Sequence, residues 1–271
     1  MTGALLPLLA ILIASGAVAG LISGLLGVGG GIVLVPAFYY AFSALGYHPD
    51  QLMQICVATS TGTIIFTSLR SVTSHMKRGS VSVDLLKSWG PFVALGSVLG
   101  VLAATRLESS ELELAFGLLG LCIGLYMLLG NSNWRISETL PGRGLSIVYS
   151  MFIGFFSALM GVGGGSFTVP LLTAYGFPPV KAVGTSPGFG LALSVPGFLV
   201  FLMAGWHVSG KPPLTVGYVN IPAVVLIVLT TMLTVPLGVR LAHSLKPQTL
   251  RMIFACLVLV VAVNTLREAI F

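Results

Sequence analysis

Apolar runs of roughly the length needed to cross a hydrocarbon core of about 30 Å follow one another along the whole chain, divided by short polar clusters. The pattern predicts full apolar helices over 4–26, 88–106, 112–130, 145–160, 219–242 and 249–270. Shorter arms are expected at 31–46, 51–70, 165–177 and 184–204. A helix over 165–177 would be about 20 Å long, too short to span. It is therefore expected to enter and turn back, or to pair with the next arm as a bent hairpin. The fold class that follows is an all-α polytopic membrane protein with about eight to ten membrane segments.

Within this pattern one motif recurs. Leu26-Gly-Val-Gly-Gly-Gly-Ile-Val-Leu-Val-Pro36 returns as Met160-Gly-Val-Gly-Gly-Gly-Ser-Phe-Thr-Val-Pro170. Glycine is about 1 kcal/mol worse than alanine in a helix, so three in a row predict a break. Lipid supplies no water for the backbone groups a break frees, so such a break must lie against protein or a wet cavity. Matching breaks in two halves mark the central site of a secondary transporter.

The match extends further. Ala58-Thr59-Ser60 answers Gly184-Thr185-Ser186, and Leu99-Gly100-Val101 answers Leu237-Gly238-Val239. The chain thus divides into a first membrane repeat at 1–130, a polar linker at 131–143 and a second repeat at 144–271. Residues 1–25 imitate a leader, with Ala17-Val-Ala19 at a cleavage-like position. Yet no basic residue precedes the apolar run, and residues 14–26 have a counterpart at 148–160, so they are expected to stay as a helix. A half containing one hairpin crosses an odd number of times, which makes the two repeats inverted. The inverted arrangement gathers Arg70, Lys77, Arg78, Lys87, Arg135, Arg143, Arg240, Lys246 and Arg251 on one face. Arg106, Lys211 and Arg267 fall on the other. By the positive-inside rule this places both termini outside.

A helix start offers unpaired N–H groups and a positive dipole end, a ready anion site. Gly29, Gly30 and Gly31, with Gly163, Gly164 and Gly165, are the expected substrate-binding amides. Thr59, Ser60, Thr185 and Ser186 add hydroxyls, and Ser166 adds one where the first repeat has Ile32. Pro36, Pro170 and Pro187 are expected to keep the nearby backbone irregular. The alternative stays open that these glycines only permit close helix packing and that the hydroxyls bond their own helices. Gly96/Gly100 and Gly120/Gly124 have the spacing of internal packing rather than of a dimer face. Arg70 and Arg240, at span ends, either draw anions inward or snorkel to the interface. His75 and His207 are expected in loops.

Composition narrows the choice. The chain is 56% hydrophobic and 7% charged, against about 25% charged in soluble domains. The net charge of +6 is spread over several loops, without the basic clusters of a nucleic-acid binder. Cys56, Cys122 and Cys256 lack metal-site spacing, so no metal or cofactor is expected. None of the seven acids falls at an expected midplane, which disfavours a cation path. The glycine motif lacks the Lys-Ser/Thr of a phosphate-binding loop.

On the paired Gly-Val-Gly-Gly-Gly motifs, Pro36, Pro170 and the two Thr-Ser pairs, the chain resembles the TauE/SafE family of permeases over essentially its whole length. The resemblance implies a multi-pass protein of the cell inner membrane that moves a small organic anion, a sulfonate or sulfite, with proton coupling. A lipid bilayer and a homodimer partner complete the expected surroundings. The competing expectations are a channel-like conduit for an inorganic ion and a membrane-embedded enzyme; no catalytic cluster supports the second.

Overall fold

A computed structural model describes residues 2–129, 135–245 and 247–270. Residues 131–134 of the expected linker, Lys246 and the side chain of Arg251 lie outside the described residues. The described residues form ten helices. In the first half these are α1 (Thr2–Leu26), α2 (Gly31–Ala44), α3 (Leu52–Met76), α4 (Val83–Ala104) and α5 (Ser109–Leu129). In the second they are α6 (Arg143–Leu159), α7 (Gly165–Ala174), α8 (Pro179–Ala204), α9 (Ile221–Ala242) and α10 (Pro247–Ile270). Six are long and apolar enough to cross a bilayer: α1, α3, α4, α5, α8 and α9. α2, α6, α7 and the apolar stretch Ala255–Arg267 of α10 are shorter. The protein is an all-α polytopic membrane protein. Among the described residues the one β element is a two-residue antiparallel pair, β1 (Thr215–Val216) with β2 (Val219–Asn220). This pair was not expected, although Val216-Gly-Tyr-Val219, with Gly217 at φ 58°, carries a hairpin signal.

The helix ends follow from the glycines. α1 stops at Leu26 because Gly27 takes φ 71°, and Gly29 and Gly30 follow at 77° and 81°, a region L side chains avoid. α6 ends the same way at Gly161, φ 63°. There the Val162 N–H donates to the Ser157 carbonyl and the Gly161 N–H to the Ala158 carbonyl, which satisfies two terminal acceptors. The prolines act otherwise than expected. Pro36, Pro170 and Pro187 all sit inside continuous helix, in α2, α7 and α8. At Pro187 the missing N–H would leave the Val183 carbonyl without a donor, and the Ser186 hydroxyl supplies one at 3.0 Å.

The halves interlock by exchanged pairs: α1 packs on α9 as α6 packs on α4, and α3 on α9 as α8 on α4. The exchange holds residue by residue. Gly100 lies against the Phe155 carbonyl, and its counterpart Gly238 lies against that of Leu21. The corresponding helices α3 and α8 also pack together. Gly190 faces Ser68 whereas Gly197 faces Thr61, so the two run antiparallel. α5 and α10 do likewise, Gly117 meeting Leu266 and Gly124 meeting Leu259. Gly96 and Gly100 are filled by the α6 backbone, and Gly120 and Gly124 by α10. These pairs are internal packing. Part of the 131–143 stretch is itself docked, the Ile136 N–H donating to the Ala174 carbonyl at 2.7 Å.

Candidate functional site

The two glycine breaks meet backbone to backbone. A methyl added to Gly29 would lie 3.0 Å from the Gly163 Cα, and one on Gly31 would lie 2.8 Å from the Val162 Cα. Methyls on Gly163 and Gly165 would overlap the carbonyls of Val28 and Gly27. Gly30 and Gly164 face outward from this contact, the first toward Ala19 and the second toward Phe189 and Gly190. The contact lies at mid-length of both hairpin arms. Gly29 abuts Ile64, the central residue of α3, and Gly164 abuts Phe189 and Gly190 at the centre of α8.

Backbone donors are free here. α2 starts at Gly31 and α7 at Gly165. Among the described residues, no acceptor meets the amides of Gly29, Gly30, Gly31 and Ile32, nor those of Gly163, Gly164, Gly165 and Phe167. The positive ends of two helix dipoles accompany them. Buried hydroxyls without a partner stand at Ser68, Ser166 and Thr168. The last two occur on α7 alone, where α2 has Ile32 and Leu34.

The Thr-Ser pairs are brought to the same place but are engaged with the scaffold. The Ser60 hydroxyl donates to the Gly161 carbonyl at 2.8 Å, and its counterpart Ser186 reaches the Gly27 carbonyl at 3.1 Å. Each thus ties one half's long helix to the other half's break. Thr59 accepts the Asn220 N–H at 3.0 Å and Thr185 accepts the Ser82 N–H at 2.9 Å, and these donors stand at the N-cap positions of α9 and α4. Arg70 and Arg240 stay outside: both are exposed, toward the ends of α3 and α9.

Several polar residues escaped the sequence reading. On α3, Thr67, Ser68 and Ser71 are buried in line with Ser60 and His75. Thr67 donates to the Gly29 carbonyl at 3.2 Å and Ser71 to that of Ser23 at 3.2 Å. Their spacing at three and four along one apolar helix is the signal that could have found them. His75 corrects the loop expectation outright. It lies in the last turn of α3 and is fully buried, whereas His207 is exposed.

A family profile described as sulfite exporter TauE/SafE matches residues 12–265. The chain belongs to this family. It is 32% identical over 249 residues to a probable membrane transporter protein of Haemophilus influenzae, with 92% of this chain and 94% of that one covered. It is 26% identical to one of Methanocaldococcus jannaschii, with 92% of each chain covered. It is 25% identical to the probable membrane transporter protein YunE of Bacillus subtilis, covering 96% and 98%. No solved structure matches. The chain is a multi-pass membrane protein of a transporter family, rather than of a family of enzymes.

Proposed function

We propose that this protein is a secondary carrier for a small organic anion, a sulfonate or sulfite, in the cell inner membrane. One observation carries the proposal: two helix starts with free amides touch at mid-length of α3 and α8. An oxyanion accepts several such hydrogen bonds at once, and the helix dipoles favour its charge. Ser166 and Thr168 bias the site toward α7, where hydroxyls join the amides. Because the breaks are in backbone contact, an anion reaches the amides only as the two halves separate. That requirement fits alternating access around inverted repeats, which the antiparallel pairing of α3 with α8 supports. It fits a continuous ion conduit less well.

Purified protein in proteoliposomes tests this. Labelled sulfite, sulfoacetate and benzenesulfonate are offered with and without unlabelled anion inside. Saturable uptake accelerated by internal anion is expected for at least one. Flux that stays proportional to concentration, without acceleration, would mark a conduit instead. A thermal-shift series with the same anions and simple carboxylates ranks the head groups.

A further inference from the structure

Of the four histidines, only His75 is fully buried. Its Nε2 lies 3.0 Å from the Gly24 carbonyl in the last turn of α1, and its Nδ1 lies 3.2 Å from the Ser80 hydroxyl. That hydroxyl is also 3.0 Å from the His75 carbonyl. A carbonyl only accepts, so Nε2 carries a hydrogen whatever the charge of the ring. The Ser80 hydrogen has two acceptors within reach. With the ring neutral it points at Nδ1. When water delivers a proton to Nδ1, the new N–H donates to the Ser80 oxygen and the hydroxyl hydrogen turns to the His75 carbonyl. Every hydrogen bond survives protonation, and the cost that remains is electrostatic.

That cost is set by the neighbours. The His243 ring, next after α9, stands 5.5 Å from the His75 ring, centroid to centroid. α1 brings no ionisable side chain. α9 brings Arg240, the turn after α3 brings Lys77 and Arg78, and α8, which meets Ser80 at Gly184, brings Lys181. Asp84 and Lys87 follow on α4, with the Asp84 side chain exposed. Burial, and then the Arg78 charge, hold His243 below the usual histidine pKa. The C-termini of α1, α3 and α9 converge here and favour a cation, but their partial charges are outweighed by the loss of water around a full one. A charged His75 ring therefore gains water only where α1, α3 and α9 part.

What His75 holds matters for the site. Gly24 precedes the first break by three residues, and Ser80 abuts Gly184 beside Thr185 and Ser186, whose hydroxyls bind Ser82 and Gly27. In the register that aligns Thr59-Ser60 with Thr185-Ser186, the counterpart of His75 is Phe201, fully buried and edge-on to Tyr218. One closure is titratable and the other is apolar.

We propose that His75 is a proton-binding latch: its bond to Gly24 ties α1 to α3 beside the first glycine break, and a proton taken up at that face favours their parting, because the charged ring then gains water. This rests on the alternating-access reading given above, and it makes opening of one face respond to acid.

Hydrogen exchange in lipid nanodiscs tests it without any substrate. After correction for the intrinsic effect of pH, residues 20–34 are expected to lose about tenfold in protection from pH 7.5 to 5, while 154–168 do not. His75→Gln keeps a donor and an acceptor but cannot charge, so it should abolish the difference. Equal protection of 20–34 at both pH values would overturn the proposal, as would the same loss in both segments or an unchanged loss in His75→Gln. If that variant fails to insert, the two wild-type segments still decide. Absence of anion counterflow in proteoliposomes would sink the transport reading alone and leave the latch to the exchange data.

Discussion

At the scale of single residues, the breaks are sites where nothing larger than hydrogen fits. Gly31→Ala and Gly163→Ala each place a methyl against the opposite backbone, which cannot move aside as a side chain can. Each is expected to lower stability by about 1–3 kcal/mol, read as a fall in melting temperature in detergent. Gly144, where a methyl meets open space, serves as control: its alanine variant should stay within about 0.5 kcal/mol. The two staple serines should differ. Ser60 serves one carbonyl, so Ser60→Ala should cost about 0.5–1.5 kcal/mol. The Ser186 hydroxyl is shared between the Gly27 carbonyl and the Val183 carbonyl that Pro187 leaves free. Losing it strands two buried acceptors where Ser60→Ala strands one, so Ser186→Ala should cost about 1–3 kcal/mol. The glycines and Thr-Ser pairs were legible in the sequence because they recur. That the hydroxyls hold backbone was not, since their acceptors lie 101 and 159 residues away.

At the scale of elements, the hairpins of unequal arms were readable from length alone: α7 has ten residues against 26 in α8. The glycine run ended α1 and α6 where expected, because three consecutive poor helix formers leave little doubt locally. The prolines misled because their effect depends on who supplies the missing donor, and that is a tertiary matter. The same holds for His75, whose acceptor Gly24 is 51 residues away. Antiparallel packing of α3 on α8 sets Gly197, if given a Cβ, 3.7 Å from the Thr61 methyl. A Thr61→Cys/Gly197→Cys protein should therefore cross-link on mild oxidation, seen as a mobility shift that reductant reverses. No cross-link in a folded double variant would contradict this pairing.

At the scale of the whole molecule, the exchanged pairs join two halves around one core to which both contribute. α1 closes on α9 rather than on its own half, so neither half is expected to be stable alone. With α5 and α10 antiparallel, an inverted arrangement is expected to bring the start of α1 and the end of α10 to one face and Arg70, Lys77 and Arg78 to the other. Terminal reporter fusions should both read outside, and a cysteine in the 77–79 turn should label only from inside. On the proposed mechanism the two breaks part to offer their amides to an anion. Its most direct test is counterflow of a labelled sulfonate through Gly30→Leu and Gly164→Leu, with insertion checked by size-exclusion chromatography. Both side chains would crowd neighbours beside the contact, Ala19 in one case and Phe189 in the other. Flux is predicted to vanish in both while the protein remains in the membrane; wild-type flux in both would contradict a glycine-break site.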